Sequence, residues 1–520
     1  MREILLDGRS LKAAEVEAVS RGAKVRISEA ALIKVKRSKE LVCDLAQQNR
    51  PVYGISTGFG ELSKVKVSPE DNGRLQRNLI LSHACALGEP LDRSSVRAII
   101  LLRLNTLLSG FSGVSPEVVT NLAKFLNLDL CPLVPEKGSL GASGDLANLA
   151  HIALCLIGEG QLAEAGGPYR PAREILKKHG IDAITLSGKD GLAIINGTPL
   201  MAGLGILAWR EAEALWHYAN FAAALTFEAF RGISRALDPR IHELRPHPGQ
   251  ILTARLLRAY LAKSEYLDSR SDDVQDPYTL RCTPQVHGAS YDAIEHVGRV
   301  LEIELNSVTD NPLVFPEAED VISGGNFHGQ PLALSLDYLA IAVSELANIS
   351  ERRIERLVNP QLSEGLPAFL VAHEGVNSGL MIPQYTAASL VSENKVLSHP
   401  ASVDSIPSSA NKEDHVSMGA NAARKLRQIV WNSRQVIAIE LLTAAQAIDL
   451  LPPAKLGAGT SLIYQAVREK VKFLAEDRIL NEDIKALSEM LAERNFLEQI
   501  AADFPELEDL NRPSTLEKGS

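Results

Sequence analysis

The chain is 520 residues long, 45% apolar and 23% charged, with 64 acidic against 54 basic side chains and a formal net charge of −10. That length and apolar fraction allow a large buried core, and the composition excludes disordered, collagen-like and disulfide-framework proteins. The acidic balance argues against a nucleic-acid or anionic-membrane surface, each of which needs a basic footprint.

Ile4-Leu5-Leu6 and Val25-Arg26-Ile27 are short strand-like pieces. Ser28, followed by Glu29 and a periodic run from Ala30 to Leu45, predicts a capped helix. The Gly-rich stretch PVYGISTGFGEL (51–62) is too irregular for a helix or a central strand. Helical patterns return over 70–87, 91–108 and 115–126. Residues Cys131 to Gly144, with two prolines and three glycines, predict a loop. Asp145 then opens a helix to about Ile157, stopped by Gly158 and Gly160, and 158–190 predict a surface hairpin and a short helix. Beyond residue 200 the character changes. Residues 206–230, Leu332–Asn359 and Ala420–Leu451 contain neither Gly nor Pro, and 286–306 lacks Pro. Helices this long and apolar cannot bury themselves alone and imply a bundle pooled between subunits. The expected fold is mainly α. A smaller mixed N-terminal domain over 1–200 carries the Gly-rich loop, and 201–520 form a long-helix core ending in a C-terminal helical segment. The last residues, 504–520, read as a frayed terminus.

At about 150 residues per domain the length alone corresponds to three or four domains. The five cysteines (Cys43, Cys85, Cys131, Cys155, Cys282) are odd in number and lack a C-x-x-C pair, the pattern of free thiols in a reducing compartment. Only Ile4, Leu5 and Leu6 separate Met1-Arg-Glu from Asp7, so no signal peptide is expected. No apolar run is expected to reach the roughly 20 residues of a membrane span. Together these features predict a cytoplasmic protein.

Several familiar sites are absent. The glycines of Gly54-Ile-Ser-Thr-Gly58-Phe-Gly60 match neither nucleotide-binding loop. His242 and His247 are five residues apart with Pro246 between them, which suits a solvated turn better than a zinc site. No G-x-S-x-G elbow supports a serine hydrolase. The loop Gly138-Ser-Leu-Gly-Ala-Ser-Gly-Asp145 is different. Its plain reading is a helix cap, with Ser143 or Asp145 taking orphan amides. Its sharper reading is chemical. Gly144 has no Cβ, so its amide nitrogen can approach the carbonyl carbon of Ala142. Bonding between them with loss of one water, and dehydration of Ser143 with loss of a second, yields a methylidene-imidazolone (MIO) electrophile. Helix amides just downstream supply positive potential to it.

At this point the sequence resembles the histidine/phenylalanine/tyrosine ammonia-lyase family, which carries that group. The matching blocks are Tyr53-Gly-Ile-Ser-Thr-Gly-Phe-Gly60, Leu75-Gln-Arg-Asn-Leu-Ile-Leu-Ser-His83, Gly138 to Asp145, Asn196-Gly-Thr198 and Gln275-Asp-Pro-Tyr-Thr-Leu-Arg-Cys282. They continue through Asn306 to Pro312, Gly324-Gly-Asn-Phe-His-Gly329 and Ser409-Ala-Asn-Lys-Glu-Asp-His-Val416. The resemblance implies elimination of ammonia from an aromatic α-amino acid, with Ala142-Ser143-Gly144 forming the MIO and no metal or added organic cofactor. It implies Tyr53 as the base for the β-proton and Arg281 as the fork for the substrate carboxylate. Tyr278 and Asn196 fall beside the imidazolone, Gln275 binds substrate, and Phe327 is a wall lent by another subunit. It also implies a homotetramer whose sites are built from three subunits.

Two markers point to histidine as substrate, converted to trans-urocanate in the first step of histidine degradation. Ser82-His83 matches the histidine branch, and Glu413 stands where phenylalanine and tyrosine enzymes usually have Gln. A His and a Glu can hydrogen-bond an imidazole, whereas a phenyl ring would leave them unpaired. Lys412, Pro199 and Ser56 depart from the usual pattern near the site. The alternatives are a tyrosine or phenylalanine ammonia-lyase, or an aminomutase using the same group. The fumarase/aspartase class is disfavoured because its G-S-x-x-M-P-x-K-x-N loop is absent. A non-catalytic assembly protein would have no use for the intact loop.

Overall fold

Apolar periodicity and proline punctuation put the long helices close to where the sequence predicts them. The computed structural model describes residues 3–47, 52, 54–58, 60, 64–270, 274–493 and 495–503. Long helices run over Pro199–Ala229, Thr283–Glu304, Gln330–Val358 and Gly419–Asp449. The two 31-residue helices are about 46 Å long at 1.5 Å per residue. The first begins at Pro199, seven residues before the predicted start, because proline at the first helical position forfeits no hydrogen bond. Gly205 inside it permits close packing, since an added Cβ would crowd Leu336 at 2.7 Å. Gln330–Val358 is long and apolar enough to cross a membrane by length and composition, with a mean hydropathy of 1.4 over its most apolar window. That corrects the expectation that no such run exists. However, 67% of the window is buried, as in a core helix.

Contacts divide the chain into two compact units rather than three or four. The first comprises Met1–Arg210, Val297–Asp337 and Pro400–Arg427, and the second Glu211–His296, Tyr338–His399 and Gln428–Ser520. These units interleave along the chain, whereas the expected blocks 1–200 and 201–520 are consecutive.

In the first unit the strands Ile4–Leu6 and Val25–Ile27 pair in parallel. Ser28 Oγ accepts from Ala31 N at 3.1 Å and caps the helix Glu29–Gln47. The helix Arg93–Leu108 is buried along almost its whole length. Its Arg97 is buried because the carbonyls of Val19, Ala23 and Leu126 and the carboxylate of Asp129 take its donors. The helix predicted over 70–87 ends at His83. Leu87–Pro90 instead pairs antiparallel with Pro135–Lys137, and Leu130–Pro132 pairs with Gln161–Glu164. The stretch expected to be a loop therefore holds two short strands. A three-residue strand shows no periodicity of its own and is held by its partner.

In the second unit Ala347, Ile354, Ala387, Val436 and Ile439 form a core cluster. The same unit holds a buried ionic network: Arg353 donates to both oxygens of Glu440, which also accept from Thr226 and Ser350. His287 Nδ1 pairs with Asn220 Oδ1 at 2.9 Å. His242, expected in a solvated turn, is buried, with its two ring nitrogens facing Ala236 O and Gln250 Nε2. It is a packing residue with both ring nitrogens engaged. All five cysteines are free.

Candidate active site

The loop before the helix Leu146–Leu156 is shaped by glycine. Gly144 has φ +74°, and a Cβ on it would overlap the carbonyl of Gly197. Gly144 and Gly197 form a backbone bridge, and Asp145 N donates to Gly197 O at 2.7 Å. Neither expected cap forms. The Asp145 side chain does not cap its own helix; its Oδ2 accepts from Leu200 N (2.8 Å) and Met201 N (3.1 Å), at the start of Pro199–Ala229. Ser143 Oγ donates to Glu413 Oε1 at 3.3 Å. The loop thus presents Ser143 toward a cavity and buries Ala142, Gly144 and Asp145 behind it.

That cavity has a volume of about 620 Å³ and lies wholly within the first unit. Ser143, His83, Asn196, Phe327 and Glu413 all line it, although they are spread over 330 residues of sequence. His83 is the last residue of the helix Asn72–His83, and Ser82 Oγ lies 3.0 Å from its Nδ1. Burial holds His83 below the ordinary imidazole range, partly opposed by a hydrogen bond to the Leu79 backbone carbonyl and by the Glu413 charge. Asn196 follows the short helix Asp190–Ile195. Its Nδ2 donates to Asn311 O at 2.9 Å and Asp310 Oδ1 at 3.4 Å, while its Oδ1 is buried and unpaired. Phe327 lines the cavity of its own chain, where the resemblance implies a wall lent by another subunit. A larger cavity of about 710 Å³ in the second unit is lined by Leu390, Trp431, Ile439 and Ile484 and has no His, Tyr or Cys. Size therefore does not single out the candidate site; Ser143, His83 and Glu413 in the smaller cavity do.

A buried charge cluster surrounds Asn196. Lys189 Nζ donates to Asp310 Oδ2 at 2.7 Å, and Arg103 Nη2 lies 3.8 Å from the same oxygen. Arg103 also donates to Ala193 O, but its Nη1 is unpaired. Burial lowers the pKa values of Arg103 and Lys189, while Asp310 raises both. Burial pushes Asp145 up to about 7, opposed by the amides of Met201 and Leu200 and by Arg103. Sequence reasoning gave no role to this cluster, nor to Asn78, Asn311 and Ser323, which also line the cavity. A signal existed for Arg103, a charged residue inside the apolar run IILLRLNTLL.

Gln275, Tyr278 and Arg281 are not brought to this cavity. They belong to the second unit, where Tyr278 is 69% exposed and the Arg281 guanidinium stacks on its ring at 4.5 Å. Tyr53 lies outside the described residues. The residues present suit the imidazolone. Gly144 is held where only glycine fits, Ser143 faces the cavity, and Asn196, whose Oδ1 is buried and unpaired, is among the residues lining the same space.

A mainly helical chain with this loop facing a cavity that holds a His and a Glu is the architecture of a known class of lyases. A sequence profile for aromatic amino acid lyases matches residues 11–469. Histidine ammonia-lyase of Treponema denticola is 60% identical over 501 residues, 96% of this chain and 99% of that protein. Histidine ammonia-lyase of Symbiobacterium thermophilum is 57% identical over 487 residues, 93% of this chain and 96% of that protein. The crystal structure of histidine ammonia-lyase from Trypanosoma cruzi superposes with a TM-score of 0.92 at 43% identity, covering 100% of this chain and 99% of that one. The chain belongs to the aromatic amino acid lyase family.

Proposed function

We propose that this protein is a carbon–nitrogen lyase that removes ammonia from L-histidine to give trans-urocanate, using a methylidene-imidazolone made from Ala142, Ser143 and Gly144. The observation that carries the reading is the placement of Glu413 within 3.3 Å of Ser143, in a cavity that His83 also lines. The imidazolone supplies an electrophile that captures the substrate amine and makes it a leaving group. Glu413 accepts an N–H of the substrate imidazole. His83, held below the ordinary imidazole range by burial, meets the same ring from the cavity wall. A phenyl ring would leave both groups unpaired, a large discrimination. Tyr53 takes the β-proton, a role that rests on the family resemblance, and Asn196 orients groups beside Ser143.

Arg281, Tyr278 and Gln275 serve the cavity of another copy in a homotetramer with shared sites. The exposed apolar stripe Leu334, Tyr338 and Ile341 supports pooled helices: one helix carries all three, spaced by four and three residues, at 53%, 47% and 48% exposure. The acidic charge and free cysteines support a cytoplasmic location.

The test is to incubate the purified protein with histidine, tyrosine and phenylalanine and to follow the near-ultraviolet rise of each conjugated product. Urocanate from histidine is expected, and its absence refutes the substrate. Intact mass should be lighter than the encoded chain by two waters; an unaltered mass refutes the imidazolone.

A further inference from the structure

The loop that carries Glu413 is strained. Ser409, Ala410 and Asn411 have φ of 50, 53 and 65°, a left-handed run that residues with side chains hold only where their surroundings over-determine it. Its ends are pinned together by backbone hydrogen bonds between Ser408 and Glu413 of 2.7 and 3.2 Å. On one side it is tied to the reactive loop, where Met418 N donates to Leu140 O at 2.8 Å and Ser417 Oγ to Gly141 O at 3.3 Å. On the other side stands the segment 323–329, which carries Phe327. Gly324 and Gly325 in that segment have nothing within 4 Å of an added Cβ, and its first half is tied back to Asn311 Oδ1 by Ser323 Oγ (3.2 Å) and Gly324 N (2.8 Å).

Two histidines join these pieces. His415 Nδ1 lies 3.2 Å from His328 Nε2, and their rings stack with centroids 5.2 Å apart at 28°. One nitrogen donates and the other accepts, which requires at least one neutral ring. Neither histidine lines the cavity, but each is within two residues of one that does, Phe327 or Glu413.

We propose that His328 and His415 are a positioning pair. Their shared imidazole–imidazole hydrogen bond holds the loop 408–417 against the segment 323–329, and so sets Glu413 against Phe327 across the substrate cavity. The proposal deepens the reading of this cavity as the histidine site and rests on it. Losing the bond loosens the grip on the substrate ring while leaving the Ser143 loop intact, so KM moves more than kcat.

The experiment compares His415→Leu, which removes the bond, with His415→Asn, which keeps a polar atom near the Nδ1 position without a titrating ring. Each full-length variant is assayed with histidine and by hydrogen exchange read by mass spectrometry across 323–329 and 408–417. His415→Leu should raise KM about fivefold, with kcat within about twofold, the scale of one lost hydrogen bond. It should also speed exchange in both segments, and His415→Asn should restore both readouts. Unchanged KM and exchange in His415→Leu overturn the proposal, as does a His415→Asn variant that behaves like His415→Leu. If the unaltered protein makes no urocanate, the substrate assignment fails and the exchange comparison still decides the pair. Should His415→Leu not fold, His328→Leu and His328→Gln make the same comparison from the other ring.

Discussion

In the second unit, Glu440 is fully buried and accepts from Arg353, Thr226 and Ser350, while His287 is paired with Asn220; no polar side-chain atom of these residues is buried without a partner. In the first unit, Asp145, Asn196 and Arg103 are as deeply buried, yet Asp145 Oδ1, Asn196 Oδ1 and Arg103 Nη1 have none. An orphaned buried polar atom costs about 1–3 kcal/mol, so the second cluster is the expected outcome of selection for stability alone. The first tolerates that cost around Asn196, which lines the cavity. A self-contained network holds helices together, whereas an incomplete one leaves donors and acceptors unfilled behind the cavity-lining Asn196.

That contrast can be broken from either side. The largest effect belongs to the first unit. Ser143→Ala should lower histidine turnover by roughly four orders of magnitude or more with an unchanged melting temperature, and full retained turnover would contradict the mechanism. Next comes the second unit. Glu440→Ala leaves Arg353 buried without its partner and should cost about 3–5 kcal/mol in urea denaturation, with KM of the folded fraction unaltered. A loss below about 1 kcal/mol, the scale of an exposed pair, would remove the distinction between the clusters.

A smaller change is expected from Glu413→Gln, which deletes a charged acceptor at the cavity. Its kcat/KM for histidine should fall about 10- to 100-fold, with phenylalanine turned over relatively better; an unchanged preference would count against Glu413 as a specificity residue. The last contrast is in pH. Burial raises Asp145 from 3.8 to about 7 in the folded chain, so its stabilising contribution is present below 3.8 and lost as pH rises to about 7. Burial and then Arg353 hold His287 well below 6.5, so its contribution is present above 6.5 and lost as pH falls. The two clusters therefore tilt stability in opposite directions. Asp145→Asn should remove only the loss on raising pH, read as melting temperature against pH, and an identical slope would show that Asp145 is not the titrating group.

Much of this was legible from residues alone. Pro331 and Pro360 bracket a helix found at Gln330–Val358, and the Ile and Val pieces at 4–6 and 25–27 are strands. The need for glycine at 144 follows from the turn it makes. Three readings went astray for one reason. The helix end at His83, the strand Leu87–Pro90 and the destination of the Asp145 carboxylate each depend on a partner more than 40 residues away or on a neighbouring helix start. Arg103 shows the same limit, because a charge in an apolar run announces burial without naming the carbonyl that receives it.

By itself, then, the sequence determined the helical character and the punctuation of the long helices, and it singled out the loop 138–145 and residues 83 and 413 as candidates. These are local properties, written in periodicity, in proline and glycine, and in short motifs. Only the tertiary structure decided that residues 83, 143, 196, 327 and 413 share one cavity. It alone set Gln275, Tyr278 and Arg281 in a different unit and left some buried polar atoms unpaired while satisfying others. Those outcomes depend on which distant surfaces meet, and no local pattern encodes the geometry of such a meeting.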